Sequence, residues 1–288
     1  MIKNLFNISD LSKKDILEII NVKHDNKVLT NKSIGMIFEK YSTRTRLSFA
    51  VAISNLGGDR VDVKFDELNF SRGESFEDTF KTMNCYLDGL VYRTSKHDNL
   101  INASKHFTKP IVNALSDLSH PCQILSDFYT LINHFKKTGL NILWMGDMNN
   151  VCFSLVELAT IFEELNLFIC THEKITDHLQ WKLSKNTNIE YNLKNINMNS
   201  IDCVMTDVYI SMNDSKESLD KEQLLKNYIV DTKLMNQTNE KCIFMHCLPA
   251  KIGSEVSKEV IEGNKSIVWK QAKNRMLLQK KLLQCISW

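Results

Sequence analysis

The strongest constraint on how this chain folds is a repeated alternation, in which short β-branched apolar runs are separated by longer segments with helical spacing. Residues 34–38, 61–65, 90–92 and 111–114 read as strands, and a second series follows at 141–145, 167–171, 203–208 and 242–246. The helical segments between them have recognisable ends. Ser9-Asp10 reads as a capped start. Residues 45–55 run into Gly57-Gly58 as a C-cap, and Ser75 caps 75–87 with Glu77 and Asp78 in the first turn. Pro121 takes the favoured first position of a helix reaching to about residue 134, while 151–165 is strongly apolar and 271–283 is helical. Strands alternating with helices require parallel sheets joined by crossover helices. With 288 residues there is enough chain for two cores, and Lys136-Lys137-Thr138-Gly139 is the candidate linker. The expected fold is α/β in two domains, each a mostly parallel sheet flanked by helices. These are residues 1–135 and 136–270, with 271–288 packing back on the first.

Composition narrows the partners. Lys and Arg number 36 against 34 Asp and Glu, a net charge of +2 with both signs interspersed, which argues against nucleic-acid and membrane partners. An anion bound by this chain must therefore be held by a local site. The first twenty residues are amphipathic and broken by charge, so no signal peptide is expected, and no run approaches the roughly 20 apolar residues that span a bilayer. None of the eight cysteines falls in a C-x-x-C pair. Scattered this way they read as reduced, buried small hydrophobes of a cytoplasmic protein, without a structural zinc.

Four motifs carry chemistry. Ser42-Thr43-Arg44-Thr45-Arg46 follows a strand and opens a helix. Hydroxyls, free backbone N–H groups and a guanidinium fork at a helix N-terminus form an anion cradle. The plainer reading is an N-cap with solvated arginines, but two arginines among three hydroxyls favour phosphate; the Gly-rich turn and Gly-Lys pair of a P-loop are missing. In His120-Pro121-Cys122-Gln123, the proline places His120 at the helix mouth and Gln123 one turn inside, so both reach one small ligand. A surface capping histidine is an equally good reading of that motif alone. Asp207-Val208-Tyr209-Ile210-Ser211-Met212 lies at the carboxyl end of a strand, where open α/β sheets gather ligands, and Asp207 suits an ammonium group. His246-Cys247-Leu248-Pro249 closes another strand. Neighbours on a strand face opposite ways, so a direct Cys–His nucleophile pair is disfavoured, and Cys247 is better suited to contacting a substrate amine.

Taken in order, these motifs resemble the aspartate/ornithine carbamoyltransferase family over nearly the whole chain, and the last two resemble its ornithine branch. The resemblance includes Gly146-Asp147 with Asn149-Asn150, and Ser266 to Trp269 with Gln271-Ala272 and Asn274-Arg275-Met276. It implies transfer of a carbamoyl group from carbamoyl phosphate to an amine. By similarity, Ser42, Thr43, Arg44, Thr45 and Arg93 hold the phosphate, and His120, Gln123 and Arg275 surround the carbamoyl group. Asn150, Asp207, Ser211 and Met212 contact ornithine, while Cys247 and Leu248 lie beside the reacting amine and the donor. The catalytic roles fall to Arg44, His120, Cys247 and Arg275. No metal or organic cofactor is required, and a homotrimer is implied, with 71–75 the segment that would reach a neighbour. Asn213 stands where many members have glycine, and Arg72-Gly73-Glu74 where some have a lysine. Putrescine or an N-acylated ornithine as acceptor, and a catalytically silent regulatory relative, stay open as alternatives.

Overall fold

The structure is a computed structural model that describes residues 2–23, 25, 27–177, 180–210 and 218–288, with side chains at 218 and 219 left aside. It divides into two compact units, Met1–Tyr129 with Lys273–Trp288, and Thr130–Ala272. No helix among the described residues is long and apolar enough to cross a membrane.

The first unit contains β1 (Ser33–Phe38), β2 (Asp59–Lys64), β3 (Gly89–Arg93) and β4 (Ile111–Leu115), all parallel in the order β2-β1-β3-β4. Its helices are α1 (Lys13–Asn21), α2 (Arg44–Asn55), α3 (Phe76–Tyr86), α4 (His97–His106) and the start of α5 (Pro121–Phe135). Central β3 is buried at every position, whereas edge strand β2 is exposed at all but Val63. The sequence follows: Gly-Leu-Val-Tyr needs helices on both faces, and Asp-Arg-Val-Asp-Val-Lys suits an edge. The core packs Ile37, Phe80, Leu90, Tyr92, Leu100 and Phe107, each contributing about 1.5–3 kcal/mol by leaving water. One expected boundary moves. Helix α1 starts at Lys13, not at Ser9-Asp10, because Ser12 and Asp15 form the capping box, and residues 8–10 make a 3-10 turn instead.

The second unit contains β5 (Asn141–Met145), β6 (Asn166–Cys170), β7 (Thr187–Glu190), β8 (Cys203–Thr206) and β9 (Ile243–His246), parallel in the order β7-β6-β5-β8-β9. Around it run α6 (Asn150–Ile161), α7 (Glu173–Thr176), α8 (Ser218–Leu225), α9 (Thr232–Met235) and α10 (Lys258–Ile261). The last helix, α11 (Val268–Cys285), belongs to the first unit from Lys273 onward. Leu143, Met145, Val204, Phe244 and Val256 centre the second core.

Both sheets place a topological switch point where chemistry is expected. In the first, the chain leaves β1 toward β2 and β3 toward β4, so the crevice opens between the ends of β1 and β3. In the second it opens between β5 and β8. Ligands of open α/β sheets bind at such points, outside the carboxyl ends of the strands.

Candidate active site

In the first unit the β1 exit leads into Ser42-Thr43 and then α2, whose first residue is Arg44. Thr43 sits at the N-cap with helical backbone angles and no side-chain cap bond, so the first N–H groups of α2 face outward with a favourable dipole. Thr45, the second residue of α2, is buried and accepts a hydrogen bond from Arg275 Nη2 at 3.0 Å. Arg275 Nη1 donates to Gln123 Oε1, and Gln123 Nε2 donates to Asp127 Oδ1 at 2.9 Å. One chain of bonds thus runs from α2 through α11 to α5, joining three residues that the sequence nominates from distant positions.

Arg93 ends β3 at the same switch point and is 7% exposed. Burial, and then the neighbouring Arg275 and Arg44, pushes its pKa down to about 10, still cationic at neutral pH. His120, 4% exposed, is driven well below its ordinary range by burial and by Arg275, Arg93 and Arg44 in turn. It is therefore a neutral imidazole beside three guanidiniums. It takes its position from the Ser116–Ser119 turn, where Ser119 N–H donates to Ser116 Oγ at 3.2 Å and Asn113 Nδ2 donates to the Ser119 carbonyl at 3.3 Å. A buried concentration of positive charge around a neutral donor is suited to an anion carrying a polarisable carbonyl.

The depressed His120 has a consequence for stability. The unfolded chain takes up the proton first, so stability is complete above about pH 6.5 and falls as the pH drops below it, by up to about 1.4 kcal/mol per unit. His97 and His134 are shifted in the same direction, mainly by burial. Replacing His120 by Asn is expected to make the fall in urea midpoint below about pH 6.5 shallower without abolishing it. An unchanged pH profile would remove His120 from this linkage.

In the second unit, Gly146 follows β5 at φ +103°, with Tyr209 Cε1 only 2.5 Å from where a Cβ would stand, so only glycine permits this turn. The turn delivers Asn149, whose Oδ1 accepts from the N–H groups of Val151 and Cys152 and caps α6. The same side chain donates through Nδ2 to Asp207 Oδ2 at 2.8 Å, across the switch point. Asp207 follows β8 directly and is 7% exposed. Its other oxygen accepts from Cys247 Sγ at 3.0 Å. Asn150 is the first residue of α6 and half-buried. Ser211 and Met212, nominated for ornithine, lie outside the described residues, as does Asn213.

His246 bonds toward Glu255 and Leu248, while Cys247 Sγ bonds Asp207. Fully buried His246 donates from Nε2 to Glu255 Oε1 at 3.1 Å, and its Nδ1 accepts from Leu248 N–H at 2.9 Å. These bonds fix the tautomer and hold Leu248 at φ +59°, a left-handed conformation costing a leucine about 1–3 kcal/mol. Asp207, His246 and Cys247 present potential metal-ligand atoms within 4.8 Å of one another. Since both imidazole nitrogens are engaged, the cluster offers a carboxylate and a thiol. Glu255 was not legible as a functional residue, because nothing in its local sequence marks it; its role exists only once β9 and the following loop are folded. It accepts from buried His246 and, at 2.6 Å, from the partly buried Lys251 N–H. Glu255→Ala should cost about 3 kcal/mol through two stranded donors and a cavity, read as a lower denaturation midpoint. A loss below about 1 kcal/mol would contradict this burial-based assignment.

An arginine-rich cluster at one switch point suits an anion, and a carboxylate–thiol pair at another suits a cation, the chemistry that a two-substrate group-transfer enzyme of the α/β class would need. Comparison with known proteins gives that class its family. The profile of the aspartate/ornithine carbamoyltransferase carbamoyl-P binding domain matches residues 2–133, and that of the Asp/Orn binding domain matches 138–286. The chain is 37% identical over 295 residues to the ornithine carbamoyltransferase of Methanobrevibacter smithii, covering 97% of this chain and 98% of that one. It is also 37% identical to the enzyme of that name from Methanosarcina acetivorans, over 98% of both chains. Among solved structures, ornithine carbamoyltransferase from Pyrococcus furiosus superposes with a TM-score of 0.87 at 28% identity, over 99% of this chain and 97% of that one. The anabolic ornithine carbamoyltransferase from Campylobacter jejuni gives 0.86 at 31%, over 98% and 97%. The chain belongs to the aspartate/ornithine carbamoyltransferase family.

Proposed function

We propose that this chain transfers the carbamoyl group of carbamoyl phosphate to the side-chain amine of L-ornithine, giving L-citrulline and phosphate. The observation that carries the reading is the gathering of Arg44, Arg93 and Arg275 around a neutral, buried His120. Ser42, Thr43, Arg44, Thr45 and Arg93 hold the phosphate, and Gln123 binds the carbamoyl amide. As the amine attacks, charge builds on the carbonyl oxygen, where Arg44, Thr45, His120 and Arg275 stabilise it; phosphate then leaves already neutralised. A free amine of this kind has a pKa of about 10 and must lose a proton before attack, which nearby guanidiniums favour. Asp207 and Cys247 orient it, with Leu248 alongside and Asn150, Ser211 and Met212 completing acceptor recognition. Positioning and electrostatics, rather than a covalent intermediate, supply the acceleration. The relatives named ornithine carbamoyltransferase support ornithine as the acceptor.

The reading extends to a cytoplasmic homotrimer serving arginine biosynthesis. Supporting the trimer, Leu47 and Val51 on α2 and Val61 on edge strand β2 are 58%, 45% and 40% exposed, apolar side chains that a second copy would cover. In keeping with a reducing compartment, none of the eight cysteines is in a disulfide. A colourimetric citrulline assay with carbamoyl phosphate and ornithine tests the activity, and sedimentation equilibrium tests the trimer. Absence of turnover at saturating substrates would favour the silent relative instead.

A further inference from the structure

We infer that Glu39 is the positioning residue that sets Arg93 against the Ser42–Thr45 cradle, an inference that rests on the reading of that cradle as the phosphate site. Glu39 is half-buried immediately after β1, three residues before Ser42. Its carboxylate collects donors from both sides of Arg93. Oε1 accepts from Tyr92 Oη at 2.5 Å and Thr94 Oγ1 at 2.7 Å, with Asn99 Nδ2 at 3.3 Å. Oε2 accepts from Ser95 N–H at 2.8 Å and Ser95 Oγ at 2.7 Å. Glu39 N–H also donates to the Arg93 carbonyl at 3.0 Å, so backbone and side chain together bracket that residue.

Arg93 needs such a bracket. Its Nε is buried without a hydrogen-bond partner, so the guanidinium is aimed by the backbone beneath it. The two phosphate-binding pieces leave different strands, β1 and β3, and a small relative shift of these exits would separate the arginine from the cradle. Burial works against the charge on Glu39, but the bonds from Tyr92, Ser95 and Thr94 outweigh it and hold the carboxyl below its ordinary range. The carboxylate is thus an acceptor throughout the neutral pH region.

Glu39→Gln keeps the size but turns one acceptor into a donor facing other donors. Tyr92→Phe deletes one bond of the bracket and leaves the carboxylate in place. Both are expected to melt cooperatively, to raise KM for carbamoyl phosphate by roughly tenfold (Gln) and severalfold (Phe), and to leave KM for ornithine within about twofold at saturating donor. A merely structural role would move both KM values together or only the melting point. Calorimetric titration with inorganic phosphate gives a reading independent of turnover, with weaker binding expected in both variants. Folded variants with wild-type phosphate affinity and carbamoyl phosphate KM overturn the inference alone. A wild-type protein that binds no phosphate overturns it together with the function on which it rests.

Discussion

Arg44→Ala is expected to lower kcat/KM for carbamoyl phosphate by about a thousandfold, with the fold intact. Arg44 is the first residue of α2, half-buried, and close enough to Arg93 and His120 to depress both. In the proposed mechanism it serves the leaving phosphate and the carbonyl oxygen at once, so its loss would remove stabilisation that grows along the reaction, and kcat should fall as well as binding. Its place at the first helical turn makes alanine a good structural replacement, which leaves the core and the far-ultraviolet circular dichroism unchanged. A folded variant with near-normal kinetics would take the cradle out of the mechanism.

The second large effect is expected at Asp207. Its two oxygens accept from Asn149 and Cys247, so the carboxylate is both held in place and able to attract a cation. Asp207→Asn removes the charge and forces an amide N–H toward a group that now donates. The expected result is a loss of about a hundredfold in kcat/KM for ornithine, with KM for carbamoyl phosphate within about twofold. This pattern is the converse of that expected at Arg44, and stopped-time citrulline assays with each substrate varied separate the two. Equal damage to both substrates would argue that Asp207 supports the fold rather than the acceptor.

What the sequence made legible was whatever is written locally. The hydroxyl-arginine turn after 34–38, the proline that starts α5, and the central strands all declare themselves through spacing and residue type. Gly-Leu-Val-Tyr is apolar without alternation because helices cover both faces of β3, and it becomes a strand within a residue of its expected bounds. Strand β7, Thr-Asn-Ile-Glu, escaped notice because an edge strand carries little apolar signal. Helix α4 did too, since only Leu100 and Ala103 of its ten residues are buried. The start of α1 went to Ser12 rather than Ser9-Asp10 because the cap is decided by which side chain meets its partner three residues on.

The site divides along the same line. Arg44, His120 and Asp207 sit in motifs, while Asn149, Glu255 and Glu39 act through bonds that only the folded sheet creates. Asn149 does have a readable component, since an asparagine before an apolar helix is an N-cap, but its reach to Asp207 depends on β5 and β8 being neighbours. The bracket of Glu39 likewise depends on the pairing of β1 with β3. Sheet order is a non-local property, and the residues that exploit it look like ordinary charged or amide side chains in the linear chain.

The central claim is carbamoyl transfer from carbamoyl phosphate to ornithine, and an acceptor panel tests it most directly. Purified protein with saturating carbamoyl phosphate is offered L-ornithine, putrescine and N-acetyl-L-ornithine, and initial rates of carbamoylated product are compared. Citrulline is expected from ornithine with kcat/KM at least about a hundredfold above the other two, because the proposed acceptor residues Asn150, Asp207, Ser211 and Met212 suit free ornithine. A faster reaction with putrescine or N-acetyl-L-ornithine would contradict it.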